Sequence, residues 1–314
     1  MKKAAAVAPL SSRKAKAMVK TIIEHHFKKK PRRIVSQNGG LSNFVFLVYH
    51  SEGAFVVRLS PEAGRLSSYL KEQWAIAKAR EAGIPTPTVL EVGHEIVPHP
   101  YMILSKVEGE EATNHPNRIA ILRELGRYAA IINSIRTNGF GSIFDWSGNQ
   151  LSRKDSWREY LNEELNVSRR LQILSRNRMI SQEQLVRLRE VLESAEKLSF
   201  KPTLNHGDLR LKNVMVDKNG KILAIIDWEN CTSNLAPQWE LSLALHDLSI
   251  DEKDEFVEGY GLSRKKLSMI APLVKAFNII NYVPKIEQAV EAKDEVQLER
   301  YRLRLSGALD LYSL

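Results

Sequence analysis

The chain has 314 residues, 43% hydrophobic and 26% charged, ordinary proportions for a globular protein with a sizeable core. No run of 18 or more apolar residues occurs, so no membrane span is expected. The single cysteine, Cys231, excludes an internal disulfide and fits a reducing, cytoplasmic setting. The net charge of +9 is concentrated at one end: residues 1–33 hold eleven Lys or Arg and one acid, Glu24, leaving 35 of the 46 basic residues to face 36 of the 37 acidic ones.

Such a basic arm can meet nucleic acid or an anionic membrane, but a solvated tail and surface helix is the preferred reading, with no obligatory nucleic-acid partner. "KAMVKTIIEHHFKK" sets Met18, Ile22, Ile23 and Phe27 at helical spacing, so this segment is expected to dock through that stripe and leave its lysines in water. After "KKKPRR" the texture turns to β: "FVFLVYH" and "AFVVRLS" flank "SEG" and read as a hairpin. "SYLKEQWAIAKAREAG" reads as a helix ended by glycine. "IPTPTVLEVG" cannot be helical because of Pro85 and Pro87, and "YMILSKVEG" reads as a buried strand entering a loop. Beyond Gly109 the pattern is helical, with candidates over roughly 117–136, 153–175, 181–198, 237–248, 252–260 and 263–303. The fold class this implies is α+β: a small β-rich lobe followed by a larger, mainly helical one.

One β stretch interrupts the helical half. "LNHGDLRLKNVMVDKNGKILAIIDWEN", Leu204 to Asn230, holds two strand-like runs joined by "DKNGK", whose Asn219-Gly220 is a strong hairpin turn. Asn213 begins the first run and Asp227 ends the second, so antiparallel pairing can set them side by side. An amide oxygen and a carboxylate converging on one point suit Mg²⁺, which takes a few protein oxygens together with phosphate and water. Asp208, on the loop entering the hairpin, can accept or orient the proton of an attacking hydroxyl. Arg210 can offset negative charge on a transferring phosphoryl group. His206 reads as structural, tying loop backbone. Turn chemistry alone accounts for Asp217 and Asn219, but not for an aspartate between "LAII" and Trp228, where an unpaired carboxylate is costly.

"HGDLRLKN", of the form H-x-D-x-x-x-x-N, followed by "IIDWE", closely resembles the aminoglycoside phosphotransferase and choline-kinase-like family of small-molecule kinases, which share the bilobal protein-kinase fold. The resemblance spans about residues 16–300. It implies a basic arm over 1–15, a nucleotide-binding lobe over 16–105 and a catalytic and substrate lobe over 106–314. It implies Asp208 as catalytic base, Asn213 and Asp227 as Mg²⁺ ligands, and ATP or GTP as co-substrate. "QNGGLSNFVFLV" looks like the family's phosphate-covering turn, with Gly40, Ser42 and Asn43 approaching phosphates through backbone N–H groups. Arg58 lies where the family has a cation facing the phosphates, and Glu72 resembles the helix acid that pairs with it. "YMILSKVEGE" resembles the hinge whose backbone, from Ser105 to Val107, bonds the purine edge.

Departures from the pattern narrow the expectation. Asn133 stands where many relatives carry a histidine. The metal motif is "DWE" rather than "DFG", and no "APE" follows, which disfavours a protein substrate and leaves a small-molecule hydroxyl as acceptor. Glu229 is divided between metal and structural roles, and Glu240 reads as an acid bonding loop backbone. An aminoglycoside is one candidate acceptor, and an amino alcohol or sugar is another. A non-catalytic nucleotide-binding module is the alternative of a different class. Cationic acceptors need acidic or aromatic walls, and Asp155, Glu159 and Glu163, or Asp251, Glu252, Asp254 and Glu255, are candidate acidic faces. Trp157, Tyr160, Trp239 and Tyr260 read as core.

Overall fold

The computed structural model describes residues 10–37, 44–145 and 147–310, the last four as backbone only. Gly40, Ser42 and Asn43 lie outside the described residues. Helix α1 (Ser12–Phe27) begins within the expected 1–15 arm, because Ser11 caps it, its Oγ accepting the Lys14 N–H at 3.4 Å. Strands β1 (Arg33–Gln37), β2 (Phe44–His50), β3 (Gly53–Leu59), β4 (Val89–Gly93) and β5 (Tyr101–Ser105) form one antiparallel sheet in the order β1-β2-β3-β5-β4. Helix α2 (Arg65–Glu81) connects β3 to β4.

Period-two alternation divides this sheet's side chains between two layers. Phe55, Val57, Leu59, Tyr101 and Ile103 pack with α1, where Ala15, Val19, Ile22 and Ile23 are buried and Met18 and Phe27 partly so. Each fully buried Val or Ile contributes roughly 1.5–3 kcal/mol, so a helix that is basic on its outer side is nonetheless anchored. Met102 and Leu104 take the opposite face with Tyr69, Ala75, Ile76 and Ala79 of α2. Arg58, two residues from Val56 on that second face, is thereby directed at α2 and Glu72.

From β5 the chain passes through Gly109 into β6 (Glu110–Glu111), which pairs with β10 (Val214–Val216) and, through it, β11 (Ile222–Ile225). Gly109 has φ 153°, and a Cβ there would sit 2.5 Å from the Val216 carbonyl oxygen, so the strand that leaves the first lobe requires glycine to lie on the hairpin. Helix α3 (Arg118–Ile132) follows, then the two-residue strands β7 (Phe144–Asp145) and β8 (Gln150–Leu151). The expected helix over 153–175 is broken. Ser156 caps one turn, α4 (Trp157–Glu159), a π turn follows over Tyr160–Glu164, and Asn166 in the left-handed region (φ 51°) precedes α5 (Val167–Arg176).

Helix α6 (Gln182–Glu196) leads to β9 (Thr203–Asn205), which pairs antiparallel with β12 (Thr232–Asn234). Helices α7 (Gln238–Ala244), α8 (Ile250–Tyr260), α9 (Arg264–Glu291) and α10 (Glu295–Asp310) complete the second lobe. By length and composition alone α9 could cross a membrane, with mean hydropathy 1.2, which the sequence expectation of no span did not foresee. Here its Leu273, Phe277, Ile280, Val283 and Ile286 are buried in the second core with Trp157, Tyr160 and Trp239.

Candidate active site

Two pairings build the site. The β9–β12 pair sets Asn205 opposite Thr232, so the loop leaving β9 and the loop entering β12 lie together. The β10–β11 pair sets Val214 opposite Ile225, and the Ile226 N–H donates to the Asn213 carbonyl at 2.9 Å, which brings Asn213 beside the start of Asp227. Gly207 seals the contact between the loops: its φ is 78°, and a Cβ would lie 2.1 Å from the Asn230 carbonyl oxygen.

His206 is fully buried and bridges the same two loops. Its Nδ1 accepts the Asp208 N–H at 3.2 Å, which leaves Nε2–H to donate to the Ile226 carbonyl at 3.1 Å. Burial pushes its pKa down to about 4, so the ring is neutral and its tautomer is fixed by these two bonds. Glu240, also fully buried, accepts the N–H groups of His206 and Gly207. Burial raises its pKa to about 7, partly offset by those donors. Asn133 donates to the Leu204 carbonyl at 3.0 Å and accepts from the Tyr260 hydroxyl at 2.9 Å, so this position too braces the loop.

Asp208 is held on both oxygens. Arg210 Nε donates to Oδ1, while Lys212 Nζ (2.8 Å) and Asn213 Nδ2 (3.0 Å) reach Oδ2. Burial acts to raise its pKa, but the bonds from Arg210 and Lys212 outweigh it and leave the carboxylate below its ordinary range. Arg210 continues to Asp247, 3.2 Å from Nη1. Since Asn213 Nδ2 also bonds the Asp208 carbonyl at 2.8 Å, the amide is oriented with Oδ1 left for another partner. Asp227 is half-buried, has the left-handed backbone that non-glycine residues adopt rarely (φ 63°), and makes no hydrogen bond or ion pair among the described residues. An amide oxygen and an unpaired carboxylate at the end of one hairpin are hard donors that fit Mg²⁺ with phosphate and water completing its shell. No group of three or more His, Cys, Asp or Glu suited to a metal occurs among the described residues.

On the facing lobe, Arg58 Nη1 bonds both Glu72 oxygens at 2.8 and 2.7 Å, with side chains only 12% and 1% exposed. Burial acts to lower the Arg58 pKa, and the attraction of Glu72, with smaller contributions from Tyr69, Asp227 and Glu229, more than restores it. Glu229 accepts Arg58 Nη2 at 3.0 Å and Arg65 Nη1 at 3.4 Å, joining the "DWE" turn to β3 and α2. In the hinge, the Ser105 N–H is committed to the Thr88 carbonyl (2.8 Å) and the Lys106 N–H to Ala54 (3.0 Å), whereas the Val107 N–H has no backbone partner among the described residues.

The structure thus gathers Asp208, Arg210 and Asn213 on one loop with Asp227 alongside, and sets Arg58 and Glu72 across from the "DWE" turn. Four acids of the candidate acidic faces are already paired with cations: Glu159 and Glu163 with Lys154, Glu252 with Arg118, and Glu255 with Arg123. The sequence reading missed Lys212, although it lies four residues after Asp208. It also missed the group beside Arg210 made by His246 and Asp247 on the turn after α7, Tyr282 and Lys285 on α9, and Arg304 on α10, which are far apart in sequence and carry no local pattern.

Two lobes around such a loop are the build of a kinase-like phosphotransferase. Residues 34–267 match the model of the phosphotransferase enzyme family, APH, and the chain belongs to that family. No curated protein matches it in sequence. Among solved structures it is similar to a thermostable mutant of aminoglycoside phosphotransferase APH(4)-Ia in complex with AMP-PNP and hygromycin B, at 16% identity and TM-score 0.69, covering 94% of this chain and 99% of that one. It is also similar to a mutant aminoglycoside 2'-phosphotransferase-IIIa in complex with GDP (16%, TM-score 0.65, 95% and 96% covered). A third is a putative aminoglycoside phosphotransferase from Ralstonia eutropha JMP134 (13%, TM-score 0.62, 94% and 96% covered). The fold is therefore the bilobal protein-kinase-like one, and the protein is a small-molecule phosphotransferase.

Proposed function

We propose that the protein transfers the γ-phosphoryl group of ATP or GTP to a hydroxyl of a small molecule in an Mg²⁺-dependent reaction. The observation that carries this reading is the convergence of Asp208, Asn213 and Asp227 through two strand pairings, with the Arg58–Glu72 ion pair facing them. In the proposed step the acceptor oxygen attacks the γ-phosphorus, the bond to the β,γ-bridging oxygen breaks, and the nucleoside diphosphate leaves. The hydroxyl proton passes to Asp208. With its pKa depressed, this carboxylate is ionised at neutral pH and acts chiefly by orienting the hydroxyl, since phosphoryl transfer depends mostly on positioning and charge. Asn213 Oδ1 and the Asp227 carboxylate would hold Mg²⁺, which when bound neutralises phosphate oxygens. Arg58, fixed by Glu72, would steady the phosphates of the nucleotide, and Val107 N–H would meet the purine edge. Arg210 would act from the acceptor side, where it already holds Asp208.

Support comes from the family membership and from neighbours solved with AMP-PNP, ADP, GDP and hygromycin B. The test is γ-phosphate transfer across aminoglycosides, amino alcohols, sugars and nucleosides. Asp208→Ala is expected to lose on the order of 10²–10⁴-fold in kcat with nucleotide affinity nearly unchanged. Turnover surviving within tenfold of wild type would remove the base assignment.

A further inference from the structure

The acceptor side of Asp208 opens on a small cavity of about 70 Å³, lined by Asp208, Arg210, Leu243, His246, Asn278, Asn281, Tyr282 and Lys285. Its charges favour an anion. Four cations stand at or beside it: Arg210, Lys212, Lys285 and Arg304. The two carboxylates there are already paired, Asp208 with Arg210 and Lys212, and Asp247 with Arg210 (3.2 Å) and Arg304 (3.0 Å). Lys285 is exposed, forms no ion pair among the described residues, and touches only the face of the Tyr282 ring, 5.9 Å from its centroid. Asn278 is engaged with the Ser242 carbonyl at 2.6 Å, whereas the Asn281 amide nitrogen has no hydrogen-bond partner among the described residues. His246 is kept neutral, burial bringing its pKa down to about 4, so it adds no charge that would repel a cation or bind an anion. A polycation would meet a wall with an excess of positive charge and no free carboxylate. An anion would meet a cation that has no carboxylate partner among the described residues and that lines the same cavity as Asp208.

Building on the phosphotransferase reading, we infer that the acceptor is a small hydroxylated anion whose carboxylate or phosphate is bound by Lys285, with Arg210 and Arg304 alongside, and that Lys285 sets this specificity. The hydroxyl to be phosphorylated then lies at Asp208, and the anionic group lies against α9. This selects against the polycationic acceptors seen bound to structural neighbours.

The test uses the full chain with Mg²⁺ and ATP or GTP on two series of similar skeleton and different charge: glycerol, serinol, glycerate and glycerol 3-phosphate, then glucose, glucosamine, gluconate and glucose 6-phosphate, with kanamycin as a polycation. The anionic members are expected to exceed their neutral and cationic counterparts by tenfold or more in kcat/KM. Lys285→Glu should raise KM for the anions at least tenfold while changing kcat less, and Lys285→Arg should restore it. Greater efficiency with serinol, glucosamine or kanamycin, or rates indifferent to charge, would overturn the inference. Calorimetric titration of the same compounds in the presence of Mg²⁺ and AMP-PNP reads the cavity without turnover. Anion binding lost in Lys285→Glu supports the inference, and absent or charge-blind binding refutes it. Anion binding without transfer to any compound would instead refute the phosphotransferase reading and leave the anion site standing.

Discussion

Asp208, Asn213 and Asp227 differ in how much of their bonding capacity the protein itself uses. Asp208 is held on both oxygens, Asn213 is held through its nitrogen, and Asp227 is unpartnered among the described residues. That gradient is what a fixed orienting carboxylate beside two metal donors requires. The loop beneath them depends on two buried groups of opposite pH response. Glu240 has a folded pKa of about 7 against 4.5, so between these pH values the folded state binds the extra proton and stability falls as pH rises. His206 has about 4 against 6.5, so the unfolded state binds the extra proton and stability rises over that window. Glu240→Gln deletes the falling contribution. Its stability relative to wild type should therefore improve as pH goes from 4.5 to 7.5, by on the order of 3 kcal/mol. Chemical denaturation of both proteins at the two pH values measures this; a constant gap would place the Glu240 carboxyl at its ordinary pKa, and a gap that moves the other way would place it below.

Among the elements, α1 separates charge from burial. Its Ile22 is 1% exposed, while Lys14, Lys16 and Lys20 face solvent. Ile22→Ala should cost roughly 2–5 kcal/mol, whereas replacing the three lysines with glutamine should stay within about 0.5 kcal/mol each; denaturant midpoints distinguish the two. Elements with a strong local signal were legible in the sequence. The β2–β3 hairpin, α2, α3, α6 and the β10–β11 hairpin all carry periodicity, caps or an Asn-Gly turn. Because the hairpin was legible, so was the adjacency of Asn213 and Asp227. What was not legible depends on pairing at a distance. β9 and β12 are three residues each and gain their conformation from one another. β4 follows two prolines, which signal only what the segment is not. The break at Asn166 depends on one left-handed residue inside an otherwise helical pattern. At the site, Glu229 could not be assigned from "DWE", because its partners, Arg58 and Arg65, lie more than 160 positions away.

At the scale of the molecule, the two lobes are joined by the Gly109 strand and by side chains across the cleft: Glu229 to Arg58 and Arg65, and buried Lys71 to the Cys231 carbonyl at 3.2 Å. These links set Arg58 relative to Asp227. Glu229→Gln should raise KM for the nucleotide several-fold with a smaller effect on kcat, and should speed hydrogen exchange in α2; unchanged values of both would make Glu229 a surface residue. Asp227 is the residue on which the proposed metal site most directly depends. Titration of Mg²⁺ with AMP-PNP into wild type, Asp208→Asn and Asp227→Asn decides it. The expected result is near-wild-type affinity for Asp208→Asn and a loss of at least tenfold for Asp227→Asn, with its Mg²⁺ dependence abolished. Undiminished Mg²⁺-dependent binding in Asp227→Asn would contradict the assignment of the hairpin's end as the metal site.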